Sequence, residues 1–143
     1  MRVILGSSAA VWLATGSISL AAPNDCPRPF DENEPYPTEV ALLNEPPRGW
    51  TYRQSPNRLP LYYSDADRAN QSNCYEGCST QWIPLQAPDD ARAVGEWTLI
   101  KRLDGRLQWA HRARPLYTRI HDSPEAPSGD GVDGKWHLLP FCP

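Results

Sequence analysis

From Gly49 onward, apolar and polar positions change places in short runs, and almost every run is cut by proline or glycine. Trp97-Thr98-Leu99-Ile100 and Leu107-Gln108-Trp109-Ala110 have the length and aromatic, β-branched content of strands, without the 3.6-residue recurrence of a helix face. Asp104-Gly105 lies between them and predicts a hairpin. A two-residue loop sets Arg102 opposite Leu107, Ile100 opposite Trp109 and Thr98 opposite His111. His111 then shares a face with Trp109 and Ile100, while Trp97 and Leu99 look the other way. Both faces carry large apolar groups, so this hairpin is expected at the centre of the fold. Short broken runs exclude a doubly wound α/β sheet. Sixteen prolines, all beyond residue 22, exclude a helical bundle.

The same pattern recurs along the chain. Gly49-Trp50-Thr51 leads to Leu59-Pro60-Leu61-Tyr62, and Gly95-Glu96-Trp97-Thr98 leads to Arg114-Pro115-Leu116-Tyr117. Each half then meets an acidic turn, at Asp65-Ala66-Asp67 and at His121-Asp122. Each closes on a Trp-to-Pro element, Trp82-Ile83-Pro84-Leu85 and Trp136-His137-Leu138-Leu139-Pro140. Residues 49–143 are therefore expected to form one small antiparallel all-β domain of two degenerate repeats, about 49–88 and 95–140. Residues 22–48 are Pro-rich, acidic and largely aperiodic, an arm in which only Glu39–Leu43 has room for a helical turn before Pro46-Pro47.

The first residues change the compartment. Met1-Arg2 precedes an uncharged, weakly apolar stretch ending at Ser19-Leu20-Ala21, which fits a signal peptide of residues 1–21 cleaved before Ala22. No transmembrane segment remains after cleavage, and no cysteine stands where a lipid would attach, so a soluble, monomeric protein of the periplasm or the secreted fraction is expected. Export favours disulfides among the four cysteines. Cys74 and Cys78 enclose only Tyr75-Glu76-Gly77 and can close locally, which leaves Cys26 to join Cys142.

Several of these elements together carry a resemblance. Leu61-Tyr62-Tyr63-Ser64-Asp65-Ala66-Asp67, Cys74-Tyr75-Glu76-Gly77-Cys78 and Trp82-Ile83-Pro84-Leu85 resemble the bacterial "secreted repeat of unknown function", a family of predicted lipoproteins with a Yx(FWY)xxD motif. Gly95-Glu96-Trp97-Thr98, Asp104-Gly105, Gln108-Trp109-Ala110, Pro115-Leu116-Tyr117 and Gly129–His137 continue it. The family motif residues are Tyr62 and Asp67 in one copy, Tyr117 and Asp122 in the other, with Trp136 beyond. The middle aromatic is replaced by Ser64 and Arg119, so both motifs are degenerate. The resemblance implies a fold and an exported location, and it carries no reaction.

The chemistry offered by the residues is sparse. There is no Gly-x-Ser-x-Gly, and the adjacent His121 and Asp122 would point to opposite sides of a strand, so no catalytic residue is assigned and an enzyme is not expected. His111, His121 and His137 are weak metal candidates, because no two stand at i,i+2 or i,i+4. No cofactor is expected: Cys-x-x-Cys-His is missing, and Met1 is the only methionine, so c-type haem and blue copper are excluded. Asp130 and Asp133 lie in a glycine-rich run that lacks the spacing of a calcium loop and reads as a tight turn. The net charge of −3 argues against nucleic acid as a partner. Residues 97–121 are locally basic, a patch that could meet an anionic surface or be covered by the chain's own acidic arm. The expected function is thus a non-catalytic binding or accessory module for an extracytoplasmic protein or anionic surface. The alternative is a metal-binding or thiol-redox accessory protein using His111, His137 or the Cys74–Cys78 pair.

Overall fold

A computed structural model describes residues 31–142. Residues 1–30 lie outside the described residues, and with them the expected signal peptide, the first part of the arm including Cys26, and the expected Cys26–Cys142 pairing. The described chain is all-β, with three antiparallel sheets. Strands β1 (Val40–Glu45), β2 (Gly49–Gln54) and β3 (Leu59–Pro60) form the first. The second runs in the order β11 (Trp136–Leu138), β4 (Tyr62–Ser64), β10 (Tyr117–Arg119), β5 (Trp82–Pro84). The third runs β6 (Gln86–Ala87), β8 (Leu107–His111), β7 (Trp97–Lys101), with β9 (Arg114–Pro115) also on β8.

The turn expected over Glu39–Leu43 is instead strand β1, paired with β2 from Val40–Gln54 to Glu45–Gly49. Its Val-Ala-Leu-Leu run has no alternation to declare a strand; pairing decides it. Val40 and Tyr52 are buried in the main core with Leu61, Leu85, Trp97, Trp109, Leu116 and Leu139. Glu45 ends the strand by accepting both the Nε and Nη2 hydrogens of the buried Arg53.

The hairpin register also differs by one residue. Trp97 faces His111, Leu99 faces Trp109 and Ile100 faces Gln108. The loop has three residues, not two: Gly105 N–H donates to the Arg102 carbonyl, and Gly105 sits at φ +85°. A left-handed glycine at the end of a three-residue loop inserts a bulge that moves every partner by one. His111 consequently shares its face with Trp97 and Trp109, and not with Ile100.

Partner patterns match across the chain. Gln54 faces Val40 on one side and Leu59 on the other, and His111 faces Trp97 and Arg114. The counterpart of β7 is therefore β1, and the counterpart of Gly49–Gln54 is β8. The similar letters Gly49-Trp50-Thr51 and Gly95–Thr98 thus stand on strands with different partners. At the centre, Tyr62 pairs with Tyr117, and each neighbouring strand then crosses over. β5 lies on β10, with Thr118 opposite Ile83 and Arg119 opposite Trp82. β11 lies on β4, with Tyr63 opposite His137 and Ser64 opposite Trp136. Trp82 and Trp136 stack between the halves, with centroids 3.7 Å apart and planes at 6°.

Candidate functional site

The motif residues cross between halves too. Tyr62 donates its hydroxyl to Asp122 at 2.5 Å, and Tyr117 donates to Asp67 at 2.8 Å. Each tyrosine thus clasps the aspartate that follows the other tyrosine. Both rings are fully buried. Burial, above all, pushes both phenols far above their ordinary value, with the neighbouring carboxylates adding to it. Neither hydroxyl is poised to ionise. Around Tyr117 the interior is polar: Ser72 Oγ lies 2.6 Å from its hydroxyl, and buried Arg102 donates to Ser72, to Gln108 Oε1 and to the Cys74 carbonyl. Burial raises the Asp67 carboxyl, against the lowering by the Asn73 amide, the Tyr117 hydroxyl and Arg102. Around Tyr62, Gly129 comes so close that a Cβ there would stand 2.7 Å from both Tyr62 and Trp82. Within the glycine run expected as a tight turn, Gly131 and Gly134 take positive φ, of +77° and +64°, whereas Gly129 serves this approach.

The motif is therefore a clasp inside the fold, and the open chemistry is elsewhere. A cleft of about 510 Å³ lies between the loop after β4, the β8–β9 turn and β11. Tyr63, Asp65, Arg68, Arg112, Arg114 and His137 give it its polar character. The Tyr63 ring takes the Arg114 guanidinium at 4.5 Å and stacks with His137 at 5.1 Å. His137 Nε2 is 2.6 Å from Asp65 Oδ2. Arg112 donates Nε to Glu96 at 2.7 Å. The turn that delivers these arginines is Arg112-Ala113, with φ of +48° and +64°. Two consecutive left-handed residues make the type I′ hairpin turn, for which Asn-Gly is the low-strain choice. The Ala113 carbonyl accepts the Asn70 amide at 2.7 Å, tying the far wall to this turn.

The matching place in the other half is different. Register puts Ile83 where His137 stands, Thr118 where Tyr63 stands and Leu59 where Arg114 stands. The strands there are joined by the four-residue loop 55–58 rather than a two-residue turn. Aromatic and ionic side chains are thus gathered at one of these two register positions and not at the other.

The three histidines do not come together. His111 is 4% exposed, packed on Tyr52 and Trp97, with Nε2 3.6 Å from Glu96. His121 is exposed in the turn after β10, and only His137 lines the cleft. Among the described residues, no three His, Cys, Asp or Glu side chains are grouped to hold a metal. Cys74 and Cys78 form a disulfide, and Cys142 is also disulfide-bonded. Among the described residues, the basic side chains of 97–121 are dispersed and do not form one patch. Arg102 is internal, Arg106 pairs with Asp104, Arg112 with Glu96, and Arg119 meets Ser128. Of the acidic residues preceding β2, Glu39 accepts the Trp109 indole N–H and Glu45 accepts from Arg53. Sequence reasoning missed the cleft because the Arg112-Ala113 turn that leads into Arg114 carries no turn residues.

Residues 98–139 match the family described as a secreted repeat of unknown function. The resemblance read from the motifs points to the same family, and the matched span covers β7 to β11 apart from the first residue of β7. No curated protein and no solved structure matches the chain. The family's description makes it an exported one. Among the described residues no helix is long and apolar enough to cross a membrane.

Proposed function

We propose that the protein is an exported, non-catalytic binding module that presents the Tyr63–Arg114–His137 cleft to an anionic extracytoplasmic partner. The observation that carries this reading is the asymmetry between equivalent positions. Where one half has Ile83, Thr118 and Leu59, the other has His137, Tyr63 and Arg114 around an open cleft. A purely structural need would be met by the uncharged set, and charged residues on a strained turn are an expense that binding explains. The clasped tyrosines support a scaffold role for the motif, since their hydroxyls are buried and partnered. The protein acts as a monomer in the periplasm or the secreted fraction.

The test is retention of a partner from the exported fraction of the source cells on immobilised mature chain, wild type against Arg68→Glu. Retention by the wild type, loss by the variant and recovery of the partner chemically unaltered are expected. Equal retention by both forms removes the cleft from the reading. Release of a covalently altered partner removes the non-catalytic part.

A further inference from the structure

β11 and β5 stand at the two ends of one four-stranded sheet, and each follows a short 3-10 turn, Val132–Gly134 and Cys78–Thr80 respectively. Their outer edges are finished differently. At β11 the Lys135 carbonyl accepts from the Asp65 amide, and the Leu139 N–H donates to the Leu61 carbonyl. In an antiparallel ladder such bonds flank Trp136 and Leu138, which turn their main-chain groups away from β4. The preceding loop receives them. The Gly131 N–H donates to the Trp136 carbonyl, and the Leu138 N–H donates to Asp130 Oδ1 at 3.0 Å. This edge is closed by its own chain.

At β5 the Ile120 N–H donates to the Gln81 carbonyl and the Leu85 N–H to the Leu116 carbonyl, so Trp82 and Pro84 likewise turn away from β10. The Trp109 N–H donates to the Leu85 carbonyl, which turns the Gln86 main chain outward from β8 as well. Here the closing bonds are not made. Pro84 has no N–H, a substitution that an edge strand tolerates. Glu76 precedes Pro84 by eight residues, as Asp130 precedes Leu138, and its carboxylate makes no hydrogen bond or ion pair among the described residues. Gly77 has φ of −58° where Gly131 has +77°, and no described amide reaches the Trp82 carbonyl.

A groove of about 620 Å³ runs beside this open edge. Ile83, Pro84 and Gln86 line it, with Tyr75 and Glu76 from the disulfide loop and Leu103 from the hairpin loop. The two loops are fixed to each other, because the Leu103 N–H donates to the Tyr75 hydroxyl and the Tyr75 ring lies 4.4 Å from the Arg102 guanidinium. Leu103 is 86% exposed and Ile83 44%, the two most exposed large apolar side chains among the described residues. Arg106 pairs with Asp104 and Arg102 is internal, so Glu76 leaves the groove with an uncompensated negative charge. Unpaired main-chain groups, apolar side chains beside them and one free carboxylate are the requirements for accepting a strand from another chain.

We infer that the groove takes an extended segment of a partner protein by strand addition. The segment's main chain meets the Pro84 carbonyl and the Gln86 N–H and carbonyl, an apolar side chain covers Ile83 and Leu103, and a lysine or arginine reaches Glu76. This surface shares no residue with the Tyr63–Arg114–His137 cleft, so either assignment stands or falls without the other.

The experiment selects displayed random peptides of about seven residues on the immobilised, oxidised mature chain, then titrates a synthetic copy of an enriched peptide against amide chemical shifts. Enriched peptides are expected to carry a lysine or arginine with a β-branched or aromatic residue, and to give saturable shifts at residues 76, 83, 85–87 and 103. N-methylation should weaken binding at least tenfold at alternate peptide positions and leave it unchanged at the positions between, because a strand directs every second amide to its neighbour. Glu76→Gln should weaken a basic peptide about threefold to fivefold, the scale of an exposed ion pair. Leu103→Ser should weaken it about tenfold through lost apolar burial. Both side chains are exposed, so an unchanged urea midpoint is expected for each variant, and Arg58→Gln outside the groove should bind like wild type. Enrichment of acidic peptides, or no loss in Glu76→Gln, overturns the charge assignment. Tolerance of N-methylation at every position overturns strand addition. Concentration-dependent shifts at the same residues without peptide give the edge to a second copy of this chain and overturn the partner. No enrichment, or shifts confined to other surfaces, overturns the inference.

Discussion

Acidification charges His111 in the unfolded chain well before it does so in the folded one. Burial between Tyr52 and Trp97, and then the Arg112 charge, lower its pKa from 6.5 to about 4, against the opposing pull of Glu96. A depressed histidine contributes stability that is complete above the unfolded pKa and is lost as pH falls towards the folded one. Between neutrality and about pH 5 the imidazole's linkage amounts to about 2 kcal/mol, and to roughly 3 kcal/mol across the whole window. Asp67 works in the other direction: its raised carboxyl pKa makes its contribution grow towards acid. The difference between wild type and His111→Gln isolates the histidine. Urea unfolding followed by tryptophan fluorescence at neutral pH and at about pH 5 should show the wild type losing about 2 kcal/mol more than the variant, a midpoint shift of about 1 M. Parallel pH profiles for the two proteins, within about 0.5 kcal/mol, would refute the assignment of a neutral, buried imidazole.

Tyr117→Phe strips the donor from Asp67 and the partner from Ser72, and should cost about 1–3 kcal/mol by urea unfolding. Tyr62→Phe should cost a similar amount through Asp122, and a double variant whose losses simply add would show that the two clasps act independently. Gly129→Ala pushes a methyl to 2.7 Å from Tyr62 and Trp82, and about 1–3 kcal/mol of overpacking should appear as a lowered Tm and a changed near-ultraviolet spectrum of the Trp82–Trp136 stack. Replacing Cys74 and Cys78 by serine opens a five-residue loop; the chain-entropy estimate is a loss of about 2 kcal/mol, read as a lowered urea midpoint, with anion binding in the cleft unchanged.

Much of the architecture was legible in the residues. Short aromatic runs cut by proline and glycine can form only strands, and Tyr75-Glu76-Gly77 between two cysteines closes locally. What escaped was everything set by a single residue of offset or by contact at long range. Asp104-Gly105 announces a hairpin, but whether two or three residues make its loop depends on the conformation of Gly105, and that choice turns His111 from one face to the other. Val40–Leu43 has helical composition and becomes a strand because Gly49–Gln54 lies alongside. The motif spacing shows Tyr62 near Asp67 in sequence, whereas the hydrogen bond runs from Tyr62 to Asp122, sixty residues away. The cleft was hidden for a related reason: its cations sit around Arg112-Ala113, residues that carry no signature of the turn they make.

The exchange of outer strands has a consequence for how such a protein assembles. β5 completes the sheet around β10, and β11 completes the sheet around β4, so neither half contains its own full set of partners. A chain bearing one half alone could complete itself only on a second molecule, and that association would weaken on dilution. Carrying both halves on one polypeptide makes the partner's local concentration a property of the connecting residues 88–96. Assembly is then independent of how far the protein has spread.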